Sequence, residues 1–277
     1  MDRADEELLA SIRAGDDAAL GSLLARHAPA IYRFGVKMCR DPEDAKDVLQ
    51  DTLFAAARGI RDFRGASSLS TWLYTVARSF CIKKRRSSKF APADPVSLDD
   101  RDGALEARAP GKAPDEAAAD RELSTRLESA IRALEPASRE VLVLRDVEGL
   151  TAPEVAEVLG VSVDAVKSRL HRARAEVRAK LEDRMPSGER ASQRAAGTGC
   201  PDVVALFSRF LEGEIGAPEC EAMQSHVATC TRCSAACESL KHTLALCRSE
   251  PRGEVPPDVQ ELVRKALREF TAQATKL

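Results

Sequence analysis

The chain has 277 residues, more than one small domain requires, so we predict about two or three domains. Its formal net charge is only -2, so the charge of the whole chain does not indicate nucleic-acid binding, and only local clusters of charge can. Aromatic residues make up 4% of the chain, while Ala, Leu, Arg and Glu are abundant. This composition favours helices over sheets, and we predict an all-α protein.

The first residues, MDRADEE, lack the basic start and apolar core of a signal peptide. No stretch approaches the roughly 20 apolar residues that a membrane-spanning helix needs. We therefore expect a cytoplasmic protein that makes no membrane contact. A disulfide framework is not expected in that reducing compartment. Six of the eight cysteines fall between Cys200 and Cys247, which indicates metal or redox chemistry in a separate module.

Hydrophobic spacing and composition divide the chain into four predicted helical segments and two linkers. In chain order these are a helical block at 5–90, a linker rich in Ala, Pro and acidic residues at 91–120, a second helical block at 121–184, a polar linker at 185–199, a cysteine-rich block at 200–250 and an amphipathic helix at 257–275. Within the first block, Asp41 and Pro42 predict the start of a helix, with Asp41 as its cap.

The clearest motif is a predicted helix-turn-helix at 151–171. Thr151 and Glu154 form a capping box, and Gly160 is placed to end the first helix in a left-handed conformation. Val161 and Val166 supply the apolar side of the second helix. That helix is basic and can enter the major groove of DNA, although a solvated face on an ordinary helical bundle is the alternative. Its basic residues are Lys167, Arg169, Arg172, Arg174, Arg178 and Lys180.

Three parts of the chain resemble the extracytoplasmic-function (ECF) sigma factors of bacterial RNA polymerase. Residues 41–63 are similar to the helix with which that family binds polymerase, and residues 63–80 are similar to its promoter-melting segment. Residues 121–182 look like its C-terminal promoter-binding domain. The resemblance implies a sigma factor that binds core RNA polymerase and promoter DNA and directs transcription initiation.

The resemblance also implies which residues make these contacts. The polymerase-binding surface is predicted to be an acidic helix face with an apolar anchor, consisting of Asp47, Gln50, Asp51 and Phe54. Alternatively, Phe54 belongs to the core and the carboxylates are simply solvated. DNA contacts are predicted for Tyr74, Arg78, Lys83, Lys84, Arg85, Lys167, Ser168, Arg169, Arg172 and Arg174. Trp72, the only tryptophan, is predicted to be a core residue.

The cysteine-rich block contains the spacing Cys200-x25-His226-x3-Cys230-x2-Cys233. Helical geometry brings the last three side chains close together, and three thiolates with one imidazole suit tetrahedral zinc. This pattern resembles the zinc-binding anti-sigma domain, which implies a small helical module that clamps sigma domains and hides their polymerase-binding surfaces.

Three further cysteines, Cys220, Cys237 and Cys247, exceed the needs of one zinc ion. They predict a second site, a ligand exchange or a redox pair, while for Cys220 and Cys247 a purely structural role is the alternative. A cysteine-rich tail fused to a sigma factor resembles the CorE-like metal-dependent group. That resemblance implies copper, zinc or cadmium as the sensed metal.

The terminal helix carries an apolar stripe that must be buried. The stripe consists of Val259, Leu262, Val263, Ala266, Leu267 and Phe270, and the sigma domains or the zinc module could cover it. We predict that this tail regulates the sigma domains by intramolecular contact.

Three functional hypotheses follow, and none is an enzyme, because no nucleotide loop, paired catalytic carboxylates or activated nucleophile is recognisable and no catalytic residue is assigned. The leading one is a sigma factor regulated in cis. The alternatives are a metal- or redox-responsive helix-turn-helix regulator that does not bind polymerase, and a metal-dependent anti-sigma module carrying degenerate sigma domains.

Overall fold

The computed structural model describes residues 2–39, 41–90, 114–183, 200–249 and 256–274. Within these residues every regular element is a helix, which confirms the all-α prediction. None of the described helices is long and apolar enough to cross a membrane. The helices are α1 (Arg3–Arg13), α2 (Asp17–Met38), α3 (Pro42–Gly59), α4 (Leu69–Phe90), α5 (Pro114–Arg132), α6 (Pro136–Leu142), α7 (Ala152–Leu159), α8 (Val163–Asp183), α9 (Val203–Leu211), α10 (Ala217–Thr229), α11 (Thr231–Ser249) and α12 (Pro257–Ala274).

Helices pack into two compact units. The first unit comprises Met1–Ala109, Glu157–Leu159 and Pro251–Leu277, and the second comprises Pro110–Ala156 and Gly160–Glu250. The first unit therefore contains α1 to α4 together with the terminal helix α12.

The core of the first unit lies among α2, α3 and α4. Phe34, Leu49 and Leu53 are almost fully buried there. Asp41 caps α3 by accepting a hydrogen bond from the backbone N–H of Glu43 at 2.9 Å, as the sequence predicts. A β-carbon at Gly35 would lie 3.4 Å from Ala45, at van der Waals contact, so α2 and α3 pack closely at this point. Trp72, predicted to be core, is only half-buried.

The terminal helix α12 packs against α3 and α2. Val259, Val263 and Ala266 of its predicted apolar stripe are buried, with Val259 0% exposed. At the start of α12, the carboxylate of Asp258 lies 2.7 Å from Nζ of Lys46 in α3. Of the two partners that the sequence left open for this helix, α12 therefore contacts the first helical block.

The second unit begins with α5, α6, the first residues of α7, and α8, and the helix-turn-helix consists of α7 and α8. Thr151 and Glu154 form the predicted capping box, since the backbone N–H of Thr151 donates to Glu154 at 2.9 Å and that of Glu154 donates to the Thr151 hydroxyl at 3.4 Å. Gly160 has a φ of 66°, the left-handed conformation that the turn requires. Val166 is fully buried and anchors α8.

A cysteine-rich module, residues 200–249, completes the second unit with α9, α10 and α11. These three helices contact one another, and α9 and α11 also pack against α8. The module is thus joined by packing, as well as by the chain, to α8, the predicted recognition helix of the helix-turn-helix.

One predicted boundary differs from the structure. Residues 114–120, which the sequence analysis assigns to a linker, form the first turns of α5. Pro114 suits the first position of a helix, and the Ala and Glu residues that follow have high helix propensity, so the helix forms without an apolar stripe. The remainder of that linker, at 91–113, and most of the second linker, at 185–199, lie outside the described residues.

Candidate functional site

The predicted metal ligands come together in the cysteine-rich module. Cys200 precedes α9, His226 lies in the last turn of α10, Cys230 follows α10, and Cys233 lies in the first turn of α11. Their ligand atoms all lie within 4.8 Å of one another. The sulfurs of Cys200 and Cys230 are 3.9 Å apart, and Nε2 of His226 is 3.2 Å from the sulfur of Cys233.

This arrangement fits a zinc ion. Zinc bound tetrahedrally to sulfur at about 2.3 Å places two ligand sulfurs about 3.8 Å apart. The separation of Cys200 and Cys230 is close to that value. Three thiols and one imidazole are also a donor set typical of structural zinc sites.

The thiols of this cluster differ in acidity. Burial, together with hydrogen bonds to Cys230 and Cys200, raises the pKa of Cys233 to about 11. The backbone N–H of Cys233 instead lowers the pKa of Cys230 by stabilising its thiolate. A metal must therefore displace a proton that Cys233 holds firmly, and binding should release protons.

The remaining cysteines of the module are not part of the ligand cluster. Cys237 is buried against Cys233 and Val203, and burial raises the pKa of its thiol. Cys247 is buried, and the half-buried Cys220 lies 3.5 Å from the amide nitrogen of Gln224. A second metal site that includes these residues stays a prediction.

The basic residues of α8 lie on two different sides of the helix. Ser168 and Arg172 are exposed and Arg169 is half-buried, so these side chains are available to DNA. Arg174 is 1% exposed, although its place in the basic helix predicts a DNA contact. The prediction for Arg174 is not supported in this conformation, because its guanidinium belongs to a buried ionic network.

Two carboxylates hold the guanidinium of Arg174. Nη2 donates to Asp146 at 2.7 Å and to Glu212 at 2.8 Å, and Nε donates to Asp146 at 2.8 Å. Burial alone would lower the pKa of Arg174, but the hydrogen bonds and charges of Asp146 and Glu212 outweigh burial and raise it. Glu212 comes from the loop after α9 and also accepts a hydrogen bond from Arg145 at 3.1 Å.

A second polar cluster lies one helical turn away on α8. Nδ1 of His171 is 2.7 Å from the hydroxyl of Ser208, and Nε2 is 2.7 Å from the carboxylate of Glu214. Glu214 also lies 3.6 Å from Nζ of Lys167. The cysteine-rich module therefore places two carboxylates, Glu212 and Glu214, against one side of the recognition helix.

The contact between this loop and α8 could not be predicted from the sequence. Glu212 lies 38 residues from Arg174, and Glu214 lies 43 residues from His171. Neither local spacing nor helical periodicity indicates partners at that separation. The pair of carboxylates in the loop after α9 was the only available signal.

In the first unit, Asp47 and Asp51 are exposed, while Gln50 and Phe54 are half-buried. Asp47 and Asp44 both form ion pairs with Lys84 of α4. Nζ of Lys84 lies 3.3 Å from the carboxylate of Asp44. A predicted polymerase contact is thereby joined to a predicted DNA contact. These ion pairs raise the pKa of Lys84, chiefly through the hydrogen bond to Asp47.

The other predicted DNA contacts of α4 differ in exposure. Lys83 is exposed, and Arg78 and Arg85 are half-buried. Tyr74 is 4% exposed and packs edge-on against Phe34 with ring centroids 5.5 Å apart. The DNA contact predicted for Tyr74 is not supported here, because its ring forms part of the core.

Comparison with known proteins agrees with this order of domains. Sigma-70 region 2 matches residues 23–90, sigma-70 region 4 matches residues 124–177, and a zinc-finger family matches residues 200–234. The ECF RNA polymerase sigma factor SigM of Mycobacterium tuberculosis is 33% identical over 178 residues, which are 63% of this chain and 83% of SigM.

The RNA polymerase sigma factor CnrH of Cupriavidus metallidurans is 35% identical over 189 residues, which are 65% of this chain and 95% of CnrH. Among solved structures, CnrH in complex with the cytosolic domain of CnrY matches with a TM-score of 0.48 and 30% identity, covering 66% of this chain and 99% of that chain. Since these sigma factors are matched over most of their length and both sigma-70 regions are present in order, the chain belongs to the ECF sigma factors, which bind core RNA polymerase and direct transcription from specific promoters.

Proposed function

We propose that this sigma factor is regulated in cis by its own C-terminal segment, which docks on both sigma regions. The single observation that carries this proposal is the contact of Glu212 and Glu214 with the recognition helix. In the undocked state, the side of α8 that these carboxylates cover would be open to promoter DNA or polymerase.

Charge supports this interpretation of the contact. Glu214 lies beside Lys167 and His171, so it occupies a position where a DNA phosphate would also be attracted. Side-chain exposure of Glu212 is only 2%, so undocking would expose a carboxylate that is now fully paired. Hydrogen bonds to charged groups contribute about 1.5–3 kcal/mol each, and removing one partner of a buried pair leaves the other charge uncompensated.

The terminal helix supports the proposal in the first unit. α12 packs on α3, the helix that resembles the family's polymerase-binding segment. Its Asp258 pairs with Lys46, one residue before Asp47 of the predicted polymerase-binding surface. A partner that approaches α3 from this side would have to displace α12.

The metal site supplies a link between metal state and docking. Cys200, His226, Cys230 and Cys233 would hold the ion, which would tie the start of α9 to α10 and α11 and contribute folding energy to the small module. Glu212 and Glu214 follow the other end of α9. The position of these carboxylates therefore depends on the fold of the metal-binding module. We propose zinc as the bound ion and the CorE-like group as the subfamily.

The proposal is tested by removing the docking charges without touching the metal ligands. The double variant Glu212→Gln, Glu214→Gln should increase promoter binding in the presence of core polymerase by about tenfold or more, because the docked state loses charge-assisted hydrogen bonds. Glu219→Gln with Glu221→Gln is the matched control, since both side chains are exposed in the same module.

Zinc content should be the same in the unmodified chain, the docking variant and the control variant. Unchanged promoter binding by the docking variant at equal zinc content would contradict regulation through this contact. Repeating the assay with zinc, copper and cadmium identifies which metal changes the docked fraction.

A further inference from the structure

Two thiols meet in the core of the first unit, which does not contain the metal ligands. Cys39 follows the last turn of α2, and Cys81 lies in the middle of α4. Their sulfurs are 4.0 Å apart, in van der Waals contact, and the residues are 7% and 1% exposed. The pair joins two helices through residues 42 positions apart in the sequence.

The two thiols are not equivalent. Cys39 has extended backbone geometry at the end of its helix and the greater exposure, whereas Cys81 is held within a continuous helix. The pKa of the Cys39 thiol is lowered, chiefly by its hydrogen bond with Cys81 and also by the charges of Arg85 and Lys84, although burial and the charge of Asp44 oppose this. The thiolate is the reactive form of cysteine, so Cys39 is the thiol suited to attack and Cys81 the one suited to resolve the product.

We propose that Cys39 and Cys81 form a reversible oxidation site that reacts with peroxide to give an intramolecular disulfide. The Cys39 thiolate attacks a peroxide oxygen, which forms a sulfenic acid and releases hydroxide. The Cys81 thiol then displaces hydroxide from the Cys39 sulfur, and its proton leaves with that hydroxide as water. In total two thiols are oxidised to one disulfide and one hydrogen peroxide is reduced to two waters.

The geometry requires only a local change. A disulfide has sulfurs about 2.05 Å apart, so the two sulfurs must approach by about 2 Å. Cys39 can supply this movement because it lies at a helix end. Disulfides in reducing compartments are mostly transient or redox-sensing, which suits a bond that thiols can reverse.

The position of the disulfide gives it a consequence. It would fix the end of α2 to α4 one turn before Lys84, whose ammonium pairs with Asp44 and Asp47 of α3. Oxidation would thus act on the helix that carries the predicted promoter-melting residues, independently of the cysteine-rich module.

Peroxide treatment of the zinc-loaded full chain tests this inference. After alkylation and digestion without reductant, mass spectrometry should find the Cys39 and Cys81 peptides joined and two hydrogens lighter, and dithiothreitol should separate them. In Cys81→Ser, oxidation should stop at a Cys39 sulfenic acid that dimedone traps. Cys220→Ser, which removes a half-buried thiol of the module, should keep the cross-link.

Full alkylation of both Cys39 and Cys81 at peroxide doses that oxidise Cys220 would overturn the inference, as would their pairing only with cysteines of the module. The wild-type cross-link decides the question even if a serine variant fails to fold.

Discussion

Basic side chains on the two sides of α8 have different physical roles. Arg172 is exposed, as a phosphate contact requires, whereas Arg174 is fully paired with Asp146 and Glu212 in the interior. An exposed charge contributes to DNA affinity through its attraction to phosphate. A buried charge is compatible with a stable fold only if its partners remain in place.

Replacing Arg172 with Ala should weaken promoter binding and lower the slope of log affinity against log salt by about one, because one phosphate contact is lost. The measurement is binding of the polymerase complex to a promoter fragment that it transcribes, at several salt concentrations. Arg132→Ala, which removes an exposed arginine at the end of α5, should leave the slope unchanged. An unaltered slope in Arg172→Ala would show that this side of α8 does not face DNA.

Replacing Arg174 with Ala should destabilise the second unit by about 3–5 kcal/mol, because it leaves the buried carboxylate of Asp146 without its partner. Urea denaturation followed by circular dichroism gives the free energy of unfolding. Lys180→Ala removes an exposed pair with Glu176 and should cost about 0.5 kcal/mol or less. A loss below about 1 kcal/mol in Arg174→Ala would be incompatible with a buried ionic network.

At this scale, residues whose partners are close in sequence could be predicted. The capping box of Thr151 and Glu154 and the grouping of His226, Cys230 and Cys233 follow from helical spacing. The burial of Arg174 could not be predicted, because it depends on Asp146 and Glu212, which tertiary packing alone brings together.

Among the helices, α12 is held mainly by apolar contact. Val259 and Val263 are buried, whereas Asp258 is more than half exposed in its ion pair with Lys46. The sequence predicted the apolar stripe but left its partner open, because a stripe specifies that it must be buried and not which surface covers it. The first turns of α5 show the opposite case, since they are helical although no apolar stripe in the sequence predicts a helix there.

Introducing a charge into the stripe should release α12. Val263→Asp should reduce hydrogen-exchange protection of α12 more than tenfold, because burying a valine contributes about 1.5–3 kcal/mol and a buried carboxylate opposes docking further. Arg264→Asp, at an exposed neighbouring position, is the matched control and should keep most of the protection. Equal exchange in the two variants would contradict the packing of this helix.

The ion pair of α12 has a defined pH window. The hydrogen bond from Lys46 lowers the pKa of Asp258, so its contribution is present above the ordinary aspartate pKa of about 3.9 and is lost as pH falls through the lowered value. The pKa of Lys46 is raised, chiefly by Asp258, so its contribution is present below about 10.4 and is lost as pH rises further.

Asp258→Asn should therefore weaken docking by about 1 kcal/mol or less, and equally at about pH 5 and pH 9. Hydrogen exchange of α12 at the two pH values, each corrected for intrinsic exchange, measures this. If the effect of Asp258→Asn on α12 exchange differed strongly between these two pH values, another titrating group would control docking.

For the whole molecule, we propose that the C-terminal segment of this ECF sigma factor binds metal and docks on both sigma regions. Docking within one chain would require little affinity, because the linker predicted at 185–199 is short and would keep the tail at high effective concentration. A metal can control such docking only if it binds the docked and undocked states with different affinity. Removing the tail should therefore remove both the inhibition and its response to metal.

The most direct measurement is run-off transcription with purified core polymerase, comparing the full chain with a truncation after Arg184 across zinc concentrations. The truncated protein should initiate at a constant, high level, whereas the full chain should initiate at a level that depends on zinc. A truncated protein that keeps the metal response of the full chain would contradict regulation by the tail.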